Sequence, residues 1–267
     1  MRIGFWGAGK MATALAQGFI RAGLTRPENV LASDFLEPAR NSFRQQTGAP
    51  VTASNAEVAA TSEVIVLAVK PHQVVALLSG LNPPLGPDRL LISIAAGVSL
   101  HELESALPDG RRVLRVMPNT PALVGSSATG YAPGQSATPD DIELTQKLFS
   151  SVGIAFQVPE NLLDAVTGLS GSGPAYAYLI IEALSDAGVA EGLPRDTATR
   201  LAAQTLLGAS RMVLETGLHP AELKDMVTSP GGTTIEAVHQ LELGGVRGAL
   251  MNAVRASARR SRELGNQ

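Results

Sequence analysis

Apolar positions in the first part of the chain fall into short runs, and the segments between these runs carry apolar residues at helical spacing. The short runs predict strands and the periodic segments predict helices. The predicted strands are residues 2–6, 30–33, 63–69, 90–94 and 112–117. Because residues 64–69 are apolar throughout, they are typical of a strand covered on both faces. This alternation predicts an α/β fold with a doubly wound parallel sheet.

The pattern changes near Pro159. Before it, runs at residues 126–132 and 154–158 predict further strands at the sheet edge, with a turn at Pro133-Gly134. After it, strand signals cease, and the segments with helical spacing are residues 175–187, 195–215 and 234–264. We therefore predict an α/β domain over residues 1–158 and an all-α domain over residues 159–267.

Composition excludes several classes of function. The formal net charge is −3, so no basic field indicates nucleic acid as a partner. Cysteine is absent, which excludes disulfides, thiolate metal sites and a cysteine nucleophile. We expect no metal site, because none of the histidines has metal-ligand spacing to another: His72, His101, His219 and His239. Redox chemistry in this chain would require a cofactor.

The sequence also bears on location and assembly. No stretch approaches the roughly twenty apolar residues of a membrane span, and the N-terminal run lacks the pattern of a signal peptide. We expect a soluble, cytoplasmic protein with no membrane partner. Apolar stripes such as Leu179-Ile180-Ile181 and Leu206-Leu207 predict that the helical half packs against a copy of itself.

A glycine loop, residues 7–12, follows the first predicted strand and opens a helix. It has the G-x-G-x-x-A form of dinucleotide-binding sites of the Rossmann type. In that form Gly7 permits the tight turn, Gly9 lets the backbone approach a pyrophosphate, and Ala12 lets helix and strand pack closely. The alternative is a structural turn. The position between strand and helix favours the dinucleotide.

Candidate cofactor contacts lie at the carboxyl ends of the strands, where open α/β sheets bind ligands. Asp34 would favour NAD by accepting a hydrogen bond from the ribose 2′-hydroxyl, whereas Ser33 with Arg40 or Arg44 could hold a 2′-phosphate, so both cofactors stay open. Asn55 is either a contact or a helix cap. The predicted cofactor-binding residues are Trp6, Gly7, Ala8, Gly9, Lys10, Met11, Ser33, Asn55, Ala68, Val69, Lys70, Pro71, Ala95 and Ala96.

A second loop, residues 227–234, lies between two helical stretches and consists mainly of hydroxyl residues and glycines. Glycines let backbone N–H groups turn toward an anion, hydroxyls add donors, and Pro230 stiffens the turn. This hydroxyl loop is suited to a small carboxylate. The alternative is a polar connection between helices.

Together these motifs show that the chain resembles the pyrroline-5-carboxylate reductase family over nearly its whole length. The resemblance rests on the glycine loop, on residues 68–71, 115–121 and 167–176, and above all on residues 224–234. It implies an N-terminal Rossmann domain, a helical dimerisation domain, and homodimers that can assemble further into decamers of five dimers. It also implies NADPH or NADH as cofactor and pyrroline-5-carboxylate as substrate, which is reduced to L-proline in the last step of proline biosynthesis.

The resemblance further implies roles for the hydroxyl loop. The substrate carboxylate would be held by Ser229, Gly232, Thr233 and Thr234. Thr234 would also hydrogen-bond the ring nitrogen as the catalytic residue, although threonine suits an N-cap for a helix that begins at Ile235 equally well. The segment Ser170-Gly171-Ser172-Gly173-Pro174 would lie beside the active site, where its glycines suit a hinge or a helix lead-in.

Two alternative hypotheses about the function stay open. A β-hydroxyacid dehydrogenase, or an imine reductase of different scope, would present a catalytic lysine or aspartate in the helical domain, for which Lys224-Asp225 is a candidate pair. The other is a non-catalytic protein that senses NAD(P) or handles pyridoxal phosphate. The hydroxyl loop argues against this second reading, because a sensor need not hold a substrate carboxylate.

Overall fold

The structure is a computed structural model and describes residues 1–265. The chain forms two compact units. The first unit comprises Met1–Ser172 together with the chain from Arg255 onward, and the second comprises Gly173–Val254. Within the described residues, no helix combines the length and the apolarity needed to cross a bilayer.

The first unit contains an eight-stranded sheet in the order β3-β2-β1-β4-β5-β6-β7-β8. Its strands are β1 (Ile3–Trp6), β2 (Val30–Ser33), β3 (Val51–Thr52), β4 (Val64–Leu67), β5 (Leu90–Ser93), β6 (Arg112–Met117), β7 (Ser127–Pro133) and β8 (Gly153–Gln157). All neighbouring strands are parallel except β6 and β7. Ile3 of β1 pairs with Val30 on one side and Val64 on the other, so the strand order reverses at β1.

The predicted doubly wound parallel sheet is confirmed, and so are the expected strands. β3 was not predicted. It has only two residues, and both are half-buried, so it leaves no run or alternation in the sequence.

Helices cover both faces of this sheet and enclose two apolar clusters. The helices of the first unit are α1 (Lys10–Arg21), α2 (Glu37–Thr47), α3 (Asn55–Thr61), α4 (Val74–Ser79), α5 (Leu100–Ser105), α6 (Pro139–Ser150) and α7 (Leu163–Val166). In one cluster Phe19 stacks on Phe5 with ring centroids 6.4 Å apart and meets Phe149 edge-on at 6.0 Å. The other cluster includes Trp6 and Leu67. Since β4 is buried along its whole length, it belongs to the middle of the sheet, as its sequence indicates.

The second unit is all helix. Its helices are α8 (Gly173–Ala190), α9 (Arg195–Thr216), α10 (Pro220–Met226), α11 (Thr233–Leu243) and the first part of α12 (Val246–Gly265). Gly188 of α8 approaches Ala198 of α9 so closely that an added Cβ would lie 3.1 Å from the Ala198 Cβ. Small residues therefore let these two antiparallel neighbours pack against each other.

The expected single helix over residues 234–264 is wrong, because Gly244-Gly245 divides it into α11 and α12. Gly245 adopts φ +68°, a left-handed conformation that residues with a Cβ rarely take. Across this break the Arg247 guanidinium donates a 2.5 Å hydrogen bond to Glu242 Oε1. That hydrogen bond and the positive charge of Arg247 lower the pKa of the Glu242 carboxyl.

Candidate functional site

The glycine loop joins β1 to α1 at the point where the strand order reverses. Gly7 has φ +101°, and an added Cβ would lie 2.7 Å from the Ala68 carbonyl oxygen, so a side chain is excluded by both conformation and space. Gly9 is the N-cap of α1 and provides no side-chain cap to the first helical turn. An added Cβ on Gly9 would meet no atom within 4 Å. The first N–H groups of α1 therefore border open space, which suits a pyrophosphate.

A cleft of about 850 Å³ lies at this edge of the sheet. Its walls come from segments far apart in sequence, and they bring together the predicted cofactor residues except two. The predicted residues on the walls are Gly7, Gly9, Lys10, Met11, Ser33, Asn55, Ala68, Val69, Lys70, Pro71, Ala95 and Ala96. Trp6 and Ala8 do not line the cleft and are buried. The indole N–H of Trp6 instead donates to the carbonyl oxygen of Asn55 at 3.0 Å.

The cleft wall at the end of β2 is organised by the side chain of Asp34. Its Oδ2 accepts a 3.0 Å hydrogen bond from the Ala8 N–H of the glycine loop. Its Oδ1 accepts a 2.9 Å hydrogen bond from the Leu36 N–H. The Arg40 guanidinium donates to the carbonyl oxygens of Asp34 and Phe35 at 2.7 and 3.1 Å. Arg40 therefore closes the β2–α2 connection, and neither it nor Arg44 lines the cleft.

Ser33 and Asn55 form a pair behind this carboxylate. The hydroxyl of Ser33 is fully buried and donates to Asn55 Oδ1 at 2.6 Å. The interpretation of Asn55 as a helix cap is wrong, because Ser54 is the N-cap of α3 and its side chain accepts from the Glu57 N–H. Asn55 is the first residue of the helix and lines the cleft.

The other end of the cleft is formed where β5 and β6 end. Ile94, Met117, Pro118 and Thr120 line it together with Ala95 and Ala96. Asn119 is buried beneath this wall and holds it in place. Its Nδ2 donates to the Ser170 carbonyl at 3.0 Å, and its Oδ1 accepts from the Ala128 N–H at 3.0 Å. Pro118, Pro121 and these hydrogen bonds make the wall a rigid corner.

Several lining residues were not predicted from sequence: Phe35, Leu36, Ala39, Ala53, Gln73, Leu77 and Ile94. Phe35 carried a usable signal. In the sequence it is a large apolar residue directly after Asp34, in a connection where polar residues are the norm. In the structure its side chain is 74% exposed. The others are apolar or amide residues that look like ordinary core or surface positions.

The hydroxyl loop lies within the second unit, between α10 and α11. Gly231 adopts φ +63°, and the Gly232 N–H donates to the Ser229 carbonyl at 3.1 Å, which closes a tight turn. The prediction of an N-cap role for Thr234 is wrong, because α11 begins at Thr233 and Gly232 is its N-cap. Gly232 has no side chain to cap the helix, so no side-chain cap occupies the first N–H groups of α11. Thr234 is half-buried, whereas Ser229 and Thr233 are exposed.

Lys224 and Asp225, the candidate pair of the rival enzyme class, lie at the end of α10. Lys224 Nζ is 2.8 Å from Asp225 Oδ1, and both side chains are substantially exposed. Neither side chain has the burial that is typical of an acid or base adapted for catalysis. His219 is the N-cap of α10, and its side chain accepts a hydrogen bond from the Ala221 N–H. Among residues 1–265 no group of histidine and carboxylate residues could hold a metal ion.

The segment 170–174, predicted as a hinge or helix lead-in, begins at the end of a π-helix, Thr167–Gly171, and its last two residues, Gly173 and Pro174, open α8. An added Cβ on Gly171 would lie 2.7 Å from the Met117 methyl, so this turn packs directly against the cleft wall. The two compact units divide directly after it, between Ser172 and Gly173. π-Helices of this kind are frequent at functional sites.

The sheet order and the glycine loop define a dinucleotide-binding protein of the Rossmann class. A pyrroline-5-carboxylate reductase from Methanosarcina acetivorans is 53% identical over 266 residues, covering 100% of this chain and 98% of that protein. The chain therefore belongs to the pyrroline-5-carboxylate reductase family.

Solved structures and a family model support the same family. A pyrroline-5-carboxylate reductase from Coxiella burnetii superposes with a TM-score of 0.90 at 37% identity and 98% coverage of both chains. The Plasmodium falciparum pyrroline carboxylate reductase with NADP bound gives 0.90 at 35% identity, covering 99% of this chain and 98% of that one. Residues 160–264 match the family model for pyrroline-5-carboxylate reductase dimerisation, and residues 2–97 match that for NADP oxidoreductase, coenzyme F420-dependent.

Proposed function

We propose that this chain catalyses the reduction of L-1-pyrroline-5-carboxylate to L-proline with NADH or NADPH, the last step of proline biosynthesis. The observation that carries the proposal is that one chain of this family contains both a glycine-lined dinucleotide cleft and a hydroxyl loop with no side-chain cap on its helix. The first suits the hydride donor, and the second suits a substrate with a carboxylate.

The residues present fit a dinucleotide. Gly7 and Gly9 leave room for backbone N–H groups to meet the pyrophosphate, and the open first turn of α1 favours its negative charge. Lys10 and Lys70 add positive charge on the same walls. The wall at β5 and β6 would receive the nicotinamide, because the β2 end lies on the opposite side of β1 and receives the adenosine. The cofactor residues predicted from sequence are retained as proposed contacts.

The substrate contacts are proposed within the hydroxyl loop. Ser229 and Thr233 offer hydroxyl donors, and Gly232 leaves the N–H groups at the start of α11 uncovered. Two or three such donors hold a carboxylate more firmly than one. The contact of the Thr234 hydroxyl with the ring nitrogen is proposed from the family resemblance, and no N-cap role occupies this hydroxyl. The division of the chain into two domains between residues 158 and 159 is also a proposal. Its support is that β8, the last strand of the sheet, ends at Gln157.

The proposed reaction requires the side chains mainly to bind and orient the substrate. When bound, a reduced nicotinamide would supply the hydride for a new C–H bond at the imine carbon. The electron pair of the C=N π bond moves to the nitrogen, which takes up a proton from the bulk or through Thr234. The residues hold the imine in one orientation, and a fixed orientation can account for a large part of such a rate enhancement. No nucleophile is required.

Assembly completes the proposal. The match to a dimerisation model and the large exposed apolar side chains of the second unit support a homodimer built through the helical half. A decamer of five such dimers is proposed from the family resemblance, and the mass in solution tests it. A cytoplasmic location stays a prediction that cell fractionation tests.

The test supplies pyrroline-5-carboxylate with NADH and with NADPH separately and follows the loss of nicotinamide absorbance. Formation of L-proline in step with cofactor oxidation supports the proposal. No oxidation with either cofactor contradicts it. Lys224→Met separates the rival class, because a catalytic lysine would be indispensable there, whereas the proposed reaction should continue at a rate within about threefold of the parent.

A further inference from the structure

We propose that Asp34 makes the cleft select NADH over NADPH. The inference rests on the proposed dinucleotide function and names the form of the cofactor that the site takes. At the β2 end, the cleft wall includes Ser33, Asp34, Phe35 and Leu36. This is the end at which a dinucleotide places its adenosine ribose, and the 2′-position of that ribose is where NADH and NADPH differ.

The carboxylate of Asp34 is held in a fixed position on this wall. The Ala8 N–H donates to Oδ2 at 3.0 Å and the Leu36 N–H donates to Oδ1 at 2.9 Å. Because Ala8 belongs to the glycine loop, the distance between the carboxylate and a bound pyrophosphate is set by the loop itself. Each oxygen retains capacity to accept a further hydrogen bond. A ribose 2′-hydroxyl can donate to it.

A 2′-phosphate meets the opposite situation. It is largely dianionic at neutral pH and would lie against a fixed negative charge, and like charges placed together are strongly unfavourable. Among the described residues that line the cleft, the cations are Lys10 and Lys70. Lys10 lies within the glycine loop as the first residue of α1, and Lys70 follows β4, which lies on the far side of β1 from β2. The β2 end of the cleft is lined by no basic residue of the described chain.

Two of the three groups that could have held a phosphate, Ser33 and Arg40, are already engaged, and the third, Arg44, does not line the cleft. Arg40 donates to two backbone carbonyls of its own loop at 2.7 and 3.1 Å and does not line the cleft. The hydroxyl proton of Ser33 is directed to Asn55 Oδ1 at 2.6 Å, and Ser33 is fully buried. The 2′-phosphate site that Ser33 and Arg40 could have formed is therefore not assembled, whereas the carboxylate that accepts a 2′-hydroxyl is.

The experiment titrates NADH and NADPH separately into the full chain without substrate and follows the fluorescence of the reduced nicotinamide. The parent protein should bind NADH at least about tenfold more tightly than NADPH. Asp34→Asn keeps an oxygen for the Ala8 N–H and removes the charge. It should tighten NADPH binding about tenfold and change NADH binding by less than about threefold. Glu37→Gln is the matched control, because it removes an exposed charge nearby that does not line the cleft.

Three outcomes overturn the inference: equal or tighter binding of NADPH by the parent, an unchanged binding ratio in Asp34→Asn, or the same change in Glu37→Gln. A parallel loss of both cofactors in Asp34→Asn would make the residue an anchor of the glycine loop, and this also overturns it. Because no substrate is present, these results do not depend on the reductase activity. Failure to reduce pyrroline-5-carboxylate with selectivity intact would remove the proposed function alone.

Discussion

The two units of the chain differ in how much apolar surface they bury by themselves. The first unit encloses two clusters of buried side chains, including Trp6 and several phenylalanines. In the second unit the buried apolar side chains of the described chain are Ala198 and Ala202. Its helix α8 is apolar around most of its circumference, and Leu179 on it is 67% exposed. A helix of that composition is normally buried, so the second unit requires a partner surface that the first does not.

The two proposed binding sites also differ in this respect. The cofactor cleft has its walls within the first unit, on strands that the sheet holds rigidly. The hydroxyl loop connects α10 to α11 in the second unit. This unit has no cluster of large buried apolar side chains among the described residues. We therefore expect cofactor binding to tolerate changes in assembly better than turnover does.

The largest effect is expected from a charge on the exposed apolar face of α8. Leu179→Glu should weaken the dimer at least about a thousandfold, because a buried unpaired carboxylate is strongly unfavourable. Turnover should fall with it while NADH binding persists. Sedimentation velocity and cofactor titration measure the two quantities. Arg211→Glu places the same side chain at a similarly exposed position of α9 and should remain dimeric. A Leu179→Glu protein that stays dimeric contradicts the comparison.

Removal of a core ring from the first unit should give the next largest effect. Phe19→Ala should lower the free energy of unfolding by about 3–5 kcal/mol, because it removes buried apolar surface and leaves a cavity. The loss should be independent of protein concentration. Leu179→Ala should instead lower the thermal midpoint in a concentration-dependent manner. Calorimetry over a range of concentrations makes the distinction, and identical behaviour of the two variants would contradict it.

Thr234→Ala should separate the two binding functions kinetically. Loss of the hydroxyl that we propose contacts the ring nitrogen should lower kcat about 10- to 100-fold, whereas the cofactor dissociation constant should change less than about twofold. Steady-state kinetics and fluorescence titration give the two values. Thr234→Ser, which keeps the hydroxyl, should recover most of the rate. Equal losses in turnover and cofactor affinity would show that Thr234 has only a structural role.

The smallest effect concerns the ion pair across the break between α11 and α12. The hydrogen bond from Arg247, and then its charge, lower the pKa of Glu242, so the pair stabilises the fold at neutral pH. That contribution should be lost as the pH falls through the lowered pKa. Glu242→Gln should therefore reduce the thermal midpoint slightly at neutral pH and not at acidic pH, with Glu236→Gln on the same helix as the control. A difference that grows as the pH falls would contradict the sign.

Much of the fold followed from local pattern. The strands of the parallel sheet were recognisable because buried strands are continuous apolar runs, as residues 64–67 show. The errors were local as well. β3 is too short to show a periodic pattern of apolar residues. The helix break at Gly244-Gly245 was not predicted, although adjacent glycines favour such a break. The N-caps of two helices also lie earlier in the chain than predicted. The N-cap of α3 is Ser54 and not Asn55, and that of α11 is Gly232 and not Thr234.

The sequence alone determined the class of fold, the glycine loop and the resemblance to a reductase family, because strand runs, helical spacing and turn glycines are properties of neighbouring residues. Only the tertiary structure decided which residues share the cleft, that Asp34 is held by the Ala8 N–H, and that Ser33 faces Asn55. It also decided that α8 keeps its apolar face uncovered within the second unit. Each of these depends on segments far apart in sequence, and packing and hydrogen bonding between such segments have no local signature.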